Sequence, residues 1–426
     1  MPKVLWTQKQ DVGPSARGGH AIAYGEVAQR VVLFGGRAGG GTLQGDTWYW
    51  DGADWTQVAD TGPDARSGHA LASDANRHRG VLFGGEAAGS ALRADTWEFD
   101  GTDWTQVADT GPDARSGHAL AFDANRQRTV LFGGEATGSA RRSDTWEWDG
   151  ADWTQVADTG PDARSGHALA YDADRGRTVL FGGRAGDGSR ADTWEWDGSE
   201  WTQAADMGPS PSSSPAMTFG GGTTLLFGGV TSPATPVAAE MLSRLSWEWD
   251  GALWTLRQDM GPTARWGHAL AFDSARGRPV LFGGFSALPA DPGVADSVLA
   301  DTWEASLEAL PGPGPGPEPG AAPALVSFTL DPDTVTVSGA AGGPEPPCTF
   351  TVGLDGPALA GGVSVDILSA PPGPSTPLFP IFVPEGAMTG SLTISIPAEL
   401  TPGNYEFMAQ LGPDVQFATL QVVLGP

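Results

Sequence analysis

Residues Asp54 to Leu71 read DWTQVADTGPDARSGHAL, and the same eighteen letters return from Asp103 to Leu120 and from Asp152 to Leu169. Looser copies begin near Trp6, Trp201 and Trp254. Taking the proline of each Gly-Pro as a marker gives Pro14, Pro63, Pro112, Pro161, Pro209 and Pro262, spaced by 49, 49, 49, 48 and 53 residues. A period near 50 residues means repeated supersecondary units, none of which buries its apolar face alone.

Each unit carries four strand signals. The first follows Gly-His, as in His118-Ala-Leu-Ala-Phe122, and the second ends in a glycine pair, as in Thr129-Val-Leu-Phe-Gly-Gly134. The third alternates, as in Thr145-Trp-Glu-Trp-Asp149, and the fourth opens on tryptophan, as in Trp153-Thr-Gln-Val-Ala157. Asp-Gly pairs such as Asp149-Gly150 separate the third from the fourth and are hairpin turn signals. Four antiparallel strands per unit predict a propeller blade.

These residues resemble the kelch family. The glycine pairs are Gly35-Gly36, Gly84-Gly85, Gly133-Gly134, Gly182-Gly183, Gly228-Gly229 and Gly283-Gly284, followed at kelch-like spacing by Trp55, Trp104, Trp153, Trp201 and Trp254. The resemblance covers residues 1 to about 309 and implies an all-β, six-bladed propeller. It leaves function open, because the family includes binding modules and a few enzymes.

The last unit lacks its fourth strand: Asp301-Thr-Trp303 runs on to Leu310 with no Asp-Gly turn and no further tryptophan. The missing piece is Leu5-Trp6-Thr7-Gln8, which matches Asp54-Trp55-Thr56-Gln57. The N-terminus is therefore expected to pair with the third strand of the last blade and to close the ring. Sixteen of the 17 tryptophans fall at repeat positions and read as blade-to-blade packing.

Five units carry Ala-Arg-x-Gly-His before the inner strand: Arg17/His20, Arg66/His69, Arg115/His118, Arg164/His167 and Arg265/His268. By the kelch resemblance this loop rims one mouth of the central channel. A ring of arginines there is a candidate binder of an anionic ligand, since guanidinium suits carboxylate recognition. The other reading is structural. The fifth unit has Ser212 for arginine, Pro215 for histidine, and Leu245 where the others have Asp46, Asp95, Asp144, Asp192 and Asp301. Joint loss of the three is what hydrogen bonding within a blade would produce.

The loops after the glycine pairs vary most, and those of units five (Val230 to Arg244) and six (Phe285 to Ala300) are long and apolar. Scaffold-supported loops commonly carry binding. Trp266, outside the repeat positions, replaces the serine of Arg-Ser-Gly-His next to Phe285. It either stacks on a sugar or anchors a peptide, or it packs under the sixth-unit loop.

Composition removes several classes of function. The chain holds 51 acidic against 24 basic side chains, net −27, which argues against nucleic acid as a partner. Only Lys3 and Lys9 are lysines, so a P-loop or Schiff-base lysine is excluded. Cys348 stands alone, so neither an internal disulfide nor a cysteine zinc site forms within the chain. No apolar run reaches the roughly 18 residues of a membrane helix. The start, Met1-Pro2-Lys3, lacks the apolar core of an export signal. No metal or cofactor is expected: a wide ring of histidines does not suit one zinc, and the Asp51–Asp54 and Asp149–Asp152 loops read as hairpins rather than calcium loops. The copper branch of the kelch family uses tyrosine, cysteine and histidine. Here Cys348 lies outside the repeats, so that centre is not expected.

Residues 311 to 323, PGPGPGPEPGAAP, read as a stiff linker. The domain division is thus 1–309 propeller, 310–324 linker and 325–426 a β-sandwich. The last segment has no Lys, Arg, His or Trp. Its strand candidates are 325–330, 334–337, 348–352, 363–368, 392–396, 405–411 and 417–424. The stretch Val383 to Ile394 resembles bacterial surface Ig-like modules. The expectation is a non-catalytic binding or adhesion protein, extracellular or at a bacterial cell surface, with a protein or glycan partner. Its ligand-binding candidates are Trp266, Phe285, Arg265, Arg17, Arg66, Arg115 and Arg164. The alternative is a carbohydrate-active enzyme like the sialate-processing kelch epimerases, which would need an acid/base pair that the sequence does not locate. Membrane insertion is not expected.

Overall fold

The computed structural model describes residues 4–9, 12–206, 208–231, 240–258, 261–288, 297–307, 325–331, 334–337, 347–354, 363–369, 377–383, 389–395, 403–411 and 414–424. Two compact units emerge, Pro2–Leu310 and Pro311–Pro426. The expected linker, 310–324, lies outside the described residues, as do 232–239 and 289–296 of the two long loops.

Among its described residues the first unit contains six four-stranded antiparallel sheets. Sheet one comprises Ala21–Gly25, Arg30–Phe34, Thr47–Trp50 and Trp55–Ala59. Sheet two comprises Ala70–Asp74, Arg79–Phe83, Thr96–Phe99 and Trp104–Ala108. Sheet three comprises Ala119–Asp123, Arg128–Phe132, Thr145–Trp148 and Trp153–Ala157. Sheet four comprises Ala168–Asp172, Arg177–Phe181, Thr193–Trp196 and Trp201–Ala205. Sheet five comprises Ala216–Gly220, Thr223–Phe227, Ser246–Trp249 and Trp254–Gln258. Sheet six is built from Ala269–Asp273, Arg278–Phe285 and Val298–Leu307, with Val4–Gln8 as its outer strand.

Each sheet follows from its letters. The Val-Leu-Phe run of the second strands, Leu-Leu-Phe in sheet five, lies between two neighbouring sheets, so both of its faces are buried; Val130, Leu131 and Phe132 have no exposure. The Asp-Gly turn is held by its own aspartate, since Asp149 Oδ1 accepts the backbone N–H groups of Ala151 and Asp152. The innermost strands touch in cyclic order, sheet six meeting sheet one.

Tryptophan joins each sheet to the one before it. Trp153 Nε1 donates to Thr96 Oγ1 at 2.8 Å, and Trp201, Trp254, Trp55 and Trp104 repeat the bond to Thr145, Thr193, Thr302 and Thr47. The N-terminal strand does the same for sheet six. Trp6 pairs with Ala305, and its indole donates to Ser246 Oγ at 2.9 Å. Its ring lies so close to Gly261 that a Cβ there would fall 2.6 Å from Trp6 Cδ1. Sequence positions 4 and 307 thus meet in one sheet, as the tryptophan register predicts.

The second unit is also all-β. One sheet holds Leu325–Asp331, Pro347–Leu354 and Thr389–Ser395; the other holds Thr334–Val337, Asp414–Leu424, Gly403–Leu411, Val363–Ser369 and Pro377–Val383. Residues from both sheets share one core, including Phe328, Val352, Val365 and Val422, with Cys348 fully buried in it. Pro377–Val383 was missing from the strand expectations. Its two prolines disfavour a central strand, and it lies at a sheet edge, where proline is tolerated. Among the described residues no helix is long and apolar enough to cross a membrane.

Candidate functional site

The Arg-x-Gly-His loops lie at the start of the innermost strands and define one face of the ring of sheets. On this face Arg17, Arg66, Arg115, Arg164 and Arg265 all have 0 % exposure. Each grips the aspartate that opens the third strand of its own sheet. Arg115 Nη1 and Nη2 meet Asp144 Oδ1 and Oδ2 at 2.7 and 2.8 Å, Nη1 also donates to Gly133 O, and Nε donates to Asp113 O. Arg17–Asp46, Arg66–Asp95, Arg164–Asp192 and Arg265–Asp301 repeat the fork. The same carboxylate accepts an indole N–H two residues on, from Trp146 to Asp144 at 2.8 Å. Burial pushes the Asp144 carboxyl up, but the hydrogen bonds and charge of Arg115 outweigh it and hold it below the ordinary range. This corrects the expectation of a cationic ring open to ligand: these guanidinium groups have no surface to offer, and their donors are committed within the sheet.

The histidines need a second correction. They do not bond the Arg–Asp fork. Instead each reaches the preceding sheet, where His118 Nε2 lies 3.1 Å from Phe83 O and its ring meets the Phe83 ring edge-on at 5.4 Å. A carbonyl only accepts, so Nε2 of His118 carries the proton, while its buried Nδ1 has no partner to accept a second one. Burial, followed by the charge of the adjacent arginine, lowers the pKa of His118, His167 and His268 to about 3; His20 reaches the same value and His69 is lowered too.

The third residue of each loop builds a feature the repeat alone did not reveal. Gly19 N donates to Gly267 O, Gly68 to Gly19, Gly117 to Gly68, Gly166 to Gly117, Ser214 to Gly166, and Gly267 to Ser214. Six backbone hydrogen bonds thus close into a circle. Five links measure 2.6 to 2.8 Å, and the one joining sheets five and six measures 3.3 Å. Paired backbones lie about 4.8 Å apart, so a hexagon of them has a radius of about 4.8 Å. Removing half a carbon contact, about 1.8 Å, leaves a bore roughly 6 Å across. A helix, about 10 Å thick, would meet this face without threading it.

Trp266 and Phe285 occupy this face at the seam of sheets six and one. Their rings stack at 4.6 Å and 26°, and Trp266 Nε1 donates to Ala287 O at 2.7 Å. Phe285 is only 6 % exposed. A Cβ on Gly18 would lie 2.1 Å from its Cε2, so the first unit carries glycine where units two to five have Ser67, Ser116, Ser165 and Ser213. Phe285 is therefore a buried support rather than a contact surface, which corrects its assignment. Trp266 is half-buried, and its indole is pinned to Ala287 of the sixth-sheet loop. The Gly18-Gly19 pair was the sequence signal for this arrangement.

The wall of the channel offers little chemistry. The first four residues of the innermost strands, from Ala21-Ile-Ala-Tyr24 to Ala269-Leu-Ala-Phe272, contain no acid or base apart from the phenols of Tyr24 and Tyr171. The aspartates that follow are engaged by arginines of the same sheet, as Asp123 is by Arg126 at 2.7 Å. Among the described residues no group of three His, Cys, Asp or Glu is placed to hold a metal ion.

Comparison with known proteins places these features in context. Residues 3–149 and 102–284 match the KLHDC2/KLHL20/DRC7 Kelch-repeats domain model. No curated protein matches the chain. Among solved structures, that of YjhT is similar with a TM-score of 0.56 at 14% identity, covering 68% of this chain and 95% of that one. At this identity the likeness speaks for the fold alone.

Proposed function

This chain belongs to the kelch-repeat family, and on that premise we propose a non-catalytic binding protein: a six-bladed propeller followed by an Ig-like sandwich, displayed outside the cytoplasm of a bacterium. The partner, a protein or a glycan, docks on the Arg-x-Gly-His face near sheets five and six. The six sheets closed by Val4–Gln8 support the blade count, and the two sheets with a common core support the sandwich.

The observation that carries the reading is Trp266. It is an aromatic without counterpart in the other five loops, half-buried and held rigid by Phe285 and Ala287. A preorganised aromatic loses little entropy on binding and is a common anchor of recognition. The narrow bore favours a partner that lies across the face. Among the described residues, the innermost strands bring no paired acid and base together, which favours binding over the epimerase alternative.

A glycan array and a pull-down from host material, each run with the whole chain and with Trp266→Ala, test the proposal. The expected result is a partner whose affinity falls at least about tenfold in the variant. Turnover of a sugar by the whole chain, or a partner indifferent to Trp266→Ala, would overturn it.

A further inference from the structure

At the end opposite the Arg-x-Gly-His face, four of the six seams carry a tryptophan–glutamate bond; the seam of sheets five and six keeps Glu248 but has Ala305 for the tryptophan, and the seam between sheets one and two departs furthest. The fourth residue of the innermost strand is an aromatic in sheets one and three to six: Tyr24, Phe122, Tyr171, Phe219 and Phe272. In sheet two it is Ser73. Its neighbours have changed with it. The middle of the third strand is Glu98, Glu147, Glu195, Glu248 or Glu304 elsewhere, and Tyr49 in sheet one. The tryptophan that bonds such a glutamate, as Trp148 bonds Glu98 at 3.2 Å, is Phe99 here. The arginine that pairs with it, as Arg126 does with Glu147 at 2.6 Å, is Ala28. A network of charge has been exchanged for an apolar lining.

The exchange removes more volume than it adds and leaves a slot. Tyr49, Phe99, Val32, Leu71, Ser73 and Gly80 line its inner part, with Val27, 65 % exposed, at its mouth and Glu26, His78, Arg79 and Asp100 among its outer lining. It measures about 410 Å³ counted out to the open mouth. Gly80 stands where sheets three and four have Thr129 and Thr178, and a Cβ built there meets nothing nearer than 3.5 Å. The Tyr49 hydroxyl does not serve a guest, because it donates to Gly101 O at 2.8 Å.

We infer that this slot is a binding site for a single phenyl or phenol ring, the group that the neighbouring seams supply from their own chain. The inner lining is apolar and disfavours burying a charge there, and a ring is what the other five sheets carry at the Ser73 position. The ring enters from outside beside Val27, either as an aromatic side chain of a partner or as a free aromatic molecule. The site lies at the far end of the strands from Trp266, so its occupancy is independent of the partner proposed above.

The test uses the whole chain and p-cresol, followed by NMR shifts of aromatic signals and by thermal unfolding. Expected are shifts of Tyr49 and Phe99 that saturate in about the millimolar range, and a raised Tm. Ser73→Phe, which restores the ring in cis, should abolish those shifts. Gly80→Thr, with a side chain that sheets three and four already accommodate, should weaken binding at least about tenfold while leaving the fold intact. N-acetyl-tyrosine amide distinguishes the sources: binding like p-cresol assigns the site to a partner's side chain, and p-cresol binding alone assigns it to a free aromatic. Failure of p-cresol to bind, or binding unchanged in Gly80→Thr, overturns the inference.

Discussion

Sheets three and five share strand order and register, yet they solve one end of the strand differently. Sheet three places Arg115 over Asp144 and sends His118 back to sheet two. Sheet five has Ser212, Leu245 and Pro215 at those positions and still pairs Ala216–Gly220 with Thr223–Phe227 in the same way. The fork is therefore not needed to form a sheet. Once half of it is present, however, the other half must be, because a guanidinium with no exposure cannot turn to water. Joint loss in sheet five is the mark of a mutual dependence, and it argues that five repeats of a charged pair are scaffold.

The largest break in the comparison is acid. Five sheets carry a buried neutral histidine and sheet five carries none. The folded pKa of about 3 for His20, His118, His167 and His268 lies below the unfolded value near 6.5. The unfolded chain thus gains protons first, and stability falls as pH drops from about 6.5 towards 3. The loss is about 2 kcal/mol for each such histidine at pH 5. The Asp–Arg forks add to it only lower down, below the ordinary carboxylate range. Urea unfolding at pH 7 and pH 5 should give a large drop in midpoint, reduced by one histidine's share in His118→Gln; equal midpoints would contradict the buried neutral state.

Next comes the fork itself. Arg115→Ala strands Asp144 in partial burial and should cost about 3–5 kcal/mol. The sheet-five pair copied into sheet three, Arg115→Ser with Asp144→Leu, should cost less than the sum of its single changes. A double-mutant cycle by chemical denaturation measures the coupling. Additive losses would mean that the two residues act separately.

The smallest effect sharpens the comparison from the other side. Ser214 holds φ +53 in the ring of backbone bonds, where Gly19, Gly68, Gly117, Gly166 and Gly267 hold the same turn without a Cβ. Ser214→Gly should stabilise by roughly 0.5–1 kcal/mol, relief of a left-handed conformation set against greater chain entropy. A lower denaturation midpoint in this variant would show that the serine side chain contributes more than its backbone strain costs.

Much of this was legible in the letters. A repeat this strict fixes strand order, and the stray Trp6 motif identifies the outer strand of sheet six without coordinates. The loss of Arg, His and Asp from one unit likewise pointed to the fork. What stayed hidden depends on contacts between units. Nothing in the Gly-His dipeptide says that the histidine serves the preceding sheet, or that six loops link into a circle. The burial of Phe285 could be suspected only from Gly18, a missing side chain two hundred and sixty-seven positions earlier. The slot beside Ser73 is not legible in the letters, because each replacement looks like ordinary surface variation until its neighbours are known.

The seams between sheets two and three and between three and four use the same letters in the same bonds: Trp153 to Thr96 and Trp201 to Thr145, Trp148 to Glu98 and Trp196 to Glu147. Each of these sheets is equipped to follow itself. Recombination that duplicated or dropped one unit would create no unfamiliar joint, so local recognition does not count to six. The number is set by curvature alone, by whether the wedge angles sum to a full turn when Val4–Gln8 arrives at its place.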